Sequence, residues 1–351
     1  MPRLSSSIDS IQPHYTVVVI GSGYGGGIAA SRLARAGQRV CVLERGKEFL
    51  PGEYPDTELE ALPEIQVNLP DQTLGLRTGL YDIRVNDDMN VLVGCGLGGT
   101  SLINANVASR PEPRVFDDPR WPQAFRADVD TRLKLGFERA EMMLGSKPYP
   151  DRLPLTPKMR AHDQSGAAFN GPTYRLPLNV TFEDGVNHVG VKQAACKLCG
   201  DCMSGCNHGA KNTVLMNYLP DAKLHGAQIL TQVEVRYLER ENNRWNVHYQ
   251  LLDTGREGFD APTAVVSADI VILAAGTLGT NEILMRSKAA GLPLSDRLGH
   301  NFSGNGDVLG FAYNNDVEIN MIGFGARDPK HQAPRRPDDH HRHRSAPAVQ
   351  A

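Results

Sequence analysis

No stretch of about 18 apolar residues occurs anywhere in the sequence, so no segment reads as a membrane span. Positive charge is not in excess: 37 Lys and Arg stand against 40 Asp and Glu, a formal net charge of −3. That removes the electrostatic footprint of a nucleic-acid binder. Met1 to His14 is polar and lacks an apolar core, so no secretory signal is expected there. Cysteine is scarce, six in 351 residues, and four of the six are clustered. Such usage does not resemble the disulfide framework of a small secreted domain, and a reducing cytoplasm is the expected location. Internal repeats are absent. A chain of 351 residues can bury a large core, and two interleaved domains are expected.

The most informative segment is Val17-Val-Val-Ile-Gly-Ser-Gly-Tyr-Gly-Gly26. An apolar strand runs into a glycine turn, and a helix is expected from about Gly25 to Ala36. A second strand, Arg39 to Leu43, ends at an acid, Glu44. This order of elements builds a dinucleotide pocket. Gly21 permits the tight turn, Gly23 lets backbone approach a pyrophosphate, and Gly26 lets the helix pack close to the strand. The helix N-terminus aims its free N–H groups at the phosphates. Glu44 is placed to accept hydrogen bonds from an adenosine ribose.

Later segments favour FAD over NAD. Ala268 to Gly276 is a buried strand ending in small residues, which let backbone pass close to a cofactor, and Thr277 to Arg286 follows as a helix. Ahead of it, Gln228 to Leu238 and Trp245 to Leu252 alternate as strands of a small meander. Between the two halves, Val93-Gly-Cys-Gly-Leu-Gly-Gly-Thr-Ser-Leu-Ile-Asn-Ala-Asn106 forms a glycine-rich loop. Its N–H groups can lie against a flavin and its phosphates.

At these residues the chain resembles the glucose–methanol–choline (GMC) oxidoreductases, most closely their cholesterol-oxidase branch. The blocks that carry the likeness are Gly21 to Gly26 with Glu44, Gly94 to Asn106, Ala274 to Arg286, and Leu298 to Asp307; a further one, Gly205 to Thr213, is similar to a bacterial subgroup. The resemblance implies an α/β fold: a Rossmann-like FAD-binding domain of the GR2/GMC type, with a central parallel sheet plus β-meander and an incomplete α+β substrate domain. It divides the chain into a first FAD-binding part (14–110), an insertion or substrate-side cap (111–195), a second FAD-binding part with the Cys-rich loop and meander (196–305), the start of a substrate domain (306–334) and a tail (335–351).

The resemblance also implies non-covalent FAD, an alcohol or sterol substrate, and oxygen as acceptor. A base takes the hydroxyl proton while hydride leaves for flavin N5, and the cholesterol-oxidase branch also isomerises the product enone. By the same resemblance the cofactor is met by Gly21, Gly23, Tyr24, Gly25 and Gly26 in the first turn, and by Glu44 and Arg45 after the second strand. Gly94, Gly98, Gly99, Thr100 and Ser101 of the second loop follow, with Val233, Ala275 and Gly276 at strand ends and Asn305 and Asp307 at the junction to the substrate domain. Asn104 and Asn106 are expected near the isoalloxazine.

In the family the catalytic His and Asn, and the isomerising carboxylate, come further along a longer chain, so no catalytic residue is assigned here. Residues 332–351 read instead as a His/Arg-rich disordered tail, with a metal tract through His340, His341 and His343 as an alternative. A third reading is a frameshift just after Pro334. With GC-rich codons, a one-base shift turns Arg335 to Arg344 into a strand-like apolar run. The chain alone is expected to have little or no oxidase activity and exposed apolar strands.

Cys196, Cys199, Cys202 and Cys206 have the C-x₂-C-x₂-C-x₃-C spacing of a bacterial ferredoxin run. A 4Fe–4S cluster, which would make the protein an electron-transferring alcohol dehydrogenase, competes with structural zinc and with free thiols or a local disulfide. Asn207 stands where such runs carry proline. Cys41, inside the second strand, reads as core; Cys95, in the flavin-side loop, is a candidate reactive thiol. Of the remainder, Asp128 to Leu144 is expected to be a helix with Val129, Leu133, Phe137, Ala140 and Met143 facing the core. Arg175 to Phe182 is expected as an edge strand. His162, His188 and His208 are read as structural or exposed.

Overall fold

A computed structural model describes residues 1–253 and 263–306, together with the isolated positions 316 and 319. The central sheet begins with β1 (His14–Ile20), followed by helix α1 (Tyr24–Arg35) and β2 (Val40–Leu43). β1 and β2 pair in parallel, Val17 opposite Val40 and Ile20 opposite Leu43. Side chains alternate across a strand. Val17 and Val19 therefore enter one core and Val18 and Ile20 the other. Burial on both faces explains why β1 reads as an unbroken apolar run.

A second sheet follows: β3 (Ile65–Asn68), β4 (Thr73–Leu74), β5 (Tyr81–Arg84) and β6 (Val91–Gly94), in the order β4-β3-β5-β6. β6 delivers the chain into the glycine-rich loop at Gly94.

The insertion differs from the sequence expectation in two places. The helix expected over 128–144 is present from Val129 to Leu144, but its first turn is not regular α. A short helix, Gln123–Ala127, runs into a wide π turn at Val129–Leu133, and regular α2 covers Lys134–Leu144. Its apolar stripe is only half-buried, because this helix lies at the periphery with a single packed side. The edge strand shrinks to Pro177–Leu178 against Lys147–Pro148. Pro148 lies opposite Pro177, and neither carries the N–H that would continue the ladder.

The chain then returns to the central sheet through α3 (Tyr218–Leu224), β7 (Gln228–Leu230), β8 (Val233–Glu241), β9 (Arg244–Leu251), β10 (Ala264–Leu273) and α4 (Gly276–Ala289). Strand order is β7-β2-β1-β10-β9-β8. The first four are parallel, and β10, β9 and β8 form an antiparallel meander. The segment 228–238, which reads as one strand, is two. Gln232 adopts a left-handed φ of 60°, which redirects the backbone. β7 therefore joins β2 while β8 joins the meander.

Helix α1 is fastened to α3 over the sheet. A Cβ on Gly27 would sit 2.3 Å from Val214 Cγ1, so only glycine allows this approach. Asp221 of α3, 1% exposed, accepts hydrogen bonds from Ser31 Oγ at 2.5 Å and from Arg35 Nε at 2.8 Å and Nη2.

Candidate functional site

The parallel strands β1, β2 and β10 end at one side of a cleft of about 1090 Å³. The first glycine loop forms its floor. Gly21 has φ 92°, and a Cβ there would lie 2.4 Å from the Ala274 carbonyl oxygen at the end of β10. A Cβ on Gly26 would lie 2.0 Å from Gly21 O, so the first turn of α1 folds directly onto the loop. Gly23 caps α1, whose first turn carries no acid. The free N–H groups and the positive end of the helix dipole thus face the cleft without a built-in counter-charge.

The second glycine loop closes over the first. Gly99, at φ 57°, would bring a Cβ to 2.9 Å from Gly23 Cα, so the two loops touch backbone to backbone. Ser22 ties them together. Its N–H and Oγ donate to Glu44 Oε2 at 3.0 and 2.6 Å, and Gly98 N donates to Ser22 Oγ at 2.9 Å. Gly46 N donates to Glu44 Oε1 at 2.8 Å. Glu44, 7% exposed, is therefore held rigidly at the end of β2. Oε1 accepts one bond from the chain and keeps a lone pair for a sugar hydroxyl.

The other wall carries paired charges. Arg45 donates to the fully buried Asp82 at 2.5 Å, and Arg84 reaches the same carboxylate at 3.0 Å and pairs with Glu282 of α4.

Of the residues expected to meet a cofactor, Gly21, Gly23, Tyr24, Gly25, Glu44, Arg45, Gly94, Gly99, Thr100, Val233, Ala275, Gly276 and Asn305 line this one cleft. Gly26, Gly98 and Ser101 stand behind its surface. Ser101 Oγ, for instance, donates to Gly98 O at 2.6 Å and accepts from Val214 N at 3.1 Å. Asn104 and Asn106 lie beyond the cleft lining: Asn104 Nδ2 donates to Tyr24 Oη at 2.9 Å, and Asn106 Nδ2 contacts Cys202 Sγ at 3.6 Å. Asp307 and the tail histidines His340, His341 and His343 fall outside the described residues.

The sequence did not single out Ser22, Asp82 or Arg84. Ser22 occupies a variable position of the glycine motif, and the two β5 residues acquire meaning only when the second sheet is set against the cleft.

Cys95 lines the cleft, and burial pushes its thiol up to about 12, which favours the protonated form. Cys41 is core, fully buried in β2. Among the described residues, the cysteine run included, no three His, Cys, Asp or Glu side chains form a group able to hold a metal ion. Burial raises Cys196, Cys199 and Cys202 instead. The departure at Asn207 has a structural reason. Its Oδ1 accepts from Gly52 N and Tyr54 N, both at 2.9 Å, and its Nδ2 donates to Tyr54 O at 3.0 Å. Proline could make none of these bonds.

A glycine loop at the carboxyl ends of parallel strands, a helix N-terminus aimed into the cleft and an acid closing the second strand define a dinucleotide-binding α/β protein. Comparison with known proteins narrows this. The GMC oxidoreductase profile matches residues 21–304, and the chain belongs to that family of FAD-binding oxidoreductases. A cholesterol oxidase of Mycobacterium tuberculosis is 33% identical over 309 residues, covering 82% of this chain and 51% of its own length. A cholesterol oxidase of Acinetobacter baumannii is 28% identical over 334 residues, covering 87% of this chain and 57% of its own. A long-chain-alcohol oxidase of Arabidopsis thaliana is 27% identical over 327 residues, covering 92% of this chain and 40% of its own. The chain thus spans about half the length of the curated relatives it matches. Among the described residues no helix is long and apolar enough to cross a membrane.

Proposed function

We propose that this chain binds one FAD non-covalently in the cleft and serves the oxidation of a CH–OH group on a sterol or a long-chain alcohol, with oxygen as the electron acceptor. The observation that carries the cofactor assignment is the fixed Glu44 carboxylate. It is bonded to Ser22 and Gly46 and stands in the same cleft as the two touching glycine loops. The substrate class is supported by the cholesterol and long-chain-alcohol oxidases among the relatives.

Each part of the chain has a task in this reading. The N–H groups of the first loop and the first turn of α1 hold the diphosphate, and Glu44 orients the ribose. Close packing of Gly99 on Gly23 leaves backbone, not side chains, against the cofactor's centre. When bound, FAD supplies the hydride acceptor. The contribution read from the described residues is to bind and orient the cofactor.

Purification in the presence of FAD, NAD⁺ and FMN in separate samples tests the assignment. The expected result is a yellow protein that retains one FAD per chain after gel filtration and does not retain NAD⁺. Retention of NAD⁺ by a folded, colourless protein would overturn it. Peroxide release over a panel of sterols and long-chain primary alcohols then tests the substrate class.

A further inference from the structure

Lys211 is the largest fully buried side chain among the described residues, at 2% exposure, and among those residues no carboxylate forms an ion pair with it. Burying a lysine disfavours its charge, and an apolar residue would fill the same space without that penalty. Its ammonium has three N–H bonds, and each meets a backbone carbonyl: Leu102 O at 3.0 Å, Asn104 O at 2.6 Å and Cys202 O at 2.8 Å. Two of these carbonyls belong to the irregular segment that leaves the second glycine loop. The third belongs to the cysteine-bearing loop, about a hundred residues away in sequence.

The segment held in this way is under unusual constraint. Asn106 adopts a left-handed φ of 51°, its Nδ2 reaches Cys202 Sγ, and its Oδ1 is buried without a hydrogen-bond partner. A buried acceptor left unpaired is unfavourable and marks a place where a further donor is expected. Asn104 is bound in turn to Tyr24, the first residue of α1 and part of the cleft lining. One chain of contacts therefore runs from the cleft lining, through the Tyr24 hydroxyl, Asn104 and Lys211, to the cysteine loop.

We propose that Lys211 is a positioning residue for the flavin end of the cofactor: by clamping the carbonyls of Leu102, Asn104 and Cys202 it fixes the backbone that carries Asn104 and Asn106. The cysteine loop is then a buttress rather than a metal centre, which accounts for its interlock with Gly52 and Tyr54 through Asn207. This inference rests on FAD occupying the cleft.

The test compares Lys211→Met with the unaltered chain, using ADP as a probe of the diphosphate half and FAD as a probe of the whole site. The variant is expected to keep its ADP affinity and to lose FAD affinity by about tenfold or more, the effect of removing buried charge-assisted hydrogen bonds. The visible circular dichroism of bound FAD is expected to change, and amide exchange in residues 102–106 and 200–204 to accelerate together. Unchanged FAD affinity with unchanged exchange overturns the proposal, and so does an equal loss of ADP and FAD. Should the variant fail to fold, exchange in the unaltered chain decides: FAD is expected to slow both segments, and protection of 102–106 alone contradicts the clamp. An unaltered chain that binds ADP but no FAD sinks the cofactor assignment itself. One that binds FAD normally while the variant does the same sinks only the role of Lys211.

Discussion

Ser22 and Glu44, separated by β2 and helix α1, are locked together by two hydrogen bonds: the serine Oγ lies 2.6 Å and its N–H 3.0 Å from the same carboxylate oxygen. Gly98 N, from the other glycine loop, donates to the same Oγ at 2.9 Å. One hydroxyl thus joins the first loop, the end of β2 and the second loop.

Ser22→Ala is expected to destabilise the fold by about 1–2 kcal/mol, since a buried donor to Glu44 and a buried acceptor for Gly98 N are lost together. FAD affinity is expected to fall as well, because Glu44 loses the partner that fixes its rotamer. Denaturant unfolding and a flavin titration measure the two effects, and a variant as stable as the parent argues against the hub.

Gly26→Ala is expected to be far more damaging than its single methyl suggests. The new Cβ would lie 2.0 Å from the Gly21 carbonyl oxygen, and that oxygen belongs to backbone that cannot swing aside. Loss of soluble protein, or destabilisation of more than about 3 kcal/mol, is the outcome expected of such overpacking. Gly37→Ala is the control: nothing stands within 4 Å of its Cβ position, though its φ of 76° adds some strain.

Asp221→Ala is expected to loosen α1 from α3. Burial pushes the Asp221 carboxyl up, but bonds from Arg35 and Ser31 outweigh it and hold it below the usual carboxylate range. Removing it leaves a buried serine hydroxyl without its acceptor, at a cost of about 2 kcal/mol. The linkage has a definite sign: a depressed carboxyl stabilises above its unfolded value, and that stabilisation fades as pH falls through the lowered one. Unfolding midpoints of the parent and the variant should therefore converge in strong acid.

Alkaline pH is expected to weaken the protein through its buried thiols. Burial pushes Cys41 and Cys95 up to about 12 from an ordinary value of 9.0. The folded state then keeps protons that the unfolded chain gives up, so stability falls as pH rises from about 9 towards 12. Lys211 acts in the opposite sense: burial lowers it to about 8, which adds stability between that pH and its ordinary 10.5. The net decline should steepen above pH 10.5, and Cys41→Ala should flatten it. An equal slope in that variant would rule out the Cys41 contribution.

The sequence disclosed most where local chemistry and global architecture coincide. Strand β1, the first glycine turn and Glu44 are contiguous or nearly so, and their spacing alone fixes their arrangement. Two things were invisible. The break at Gln232 depends on which partner each half-strand finds, and nothing in the alternation of Gln228 to Leu238 marks it. The interior of the insertion misled in the same way: periodicity over 128–144 gave the correct more-covered face, but helix α2 has no second layer to bury it. The cysteine run is legible as a spacing, but spacing alone does not set the side-chain geometry a metal needs; what the fold does show is Asn207 and Lys211 tying this loop to its neighbours.

Equilibrium titration of the purified chain with FAD, beside Glu44→Ala, tests the central claim most directly. The account predicts one FAD per unaltered chain, with affinity lowered about tenfold or more in the variant by loss of the ribose contact. A folded chain that takes up no FAD, or a variant that binds it as tightly as the parent, would contradict it.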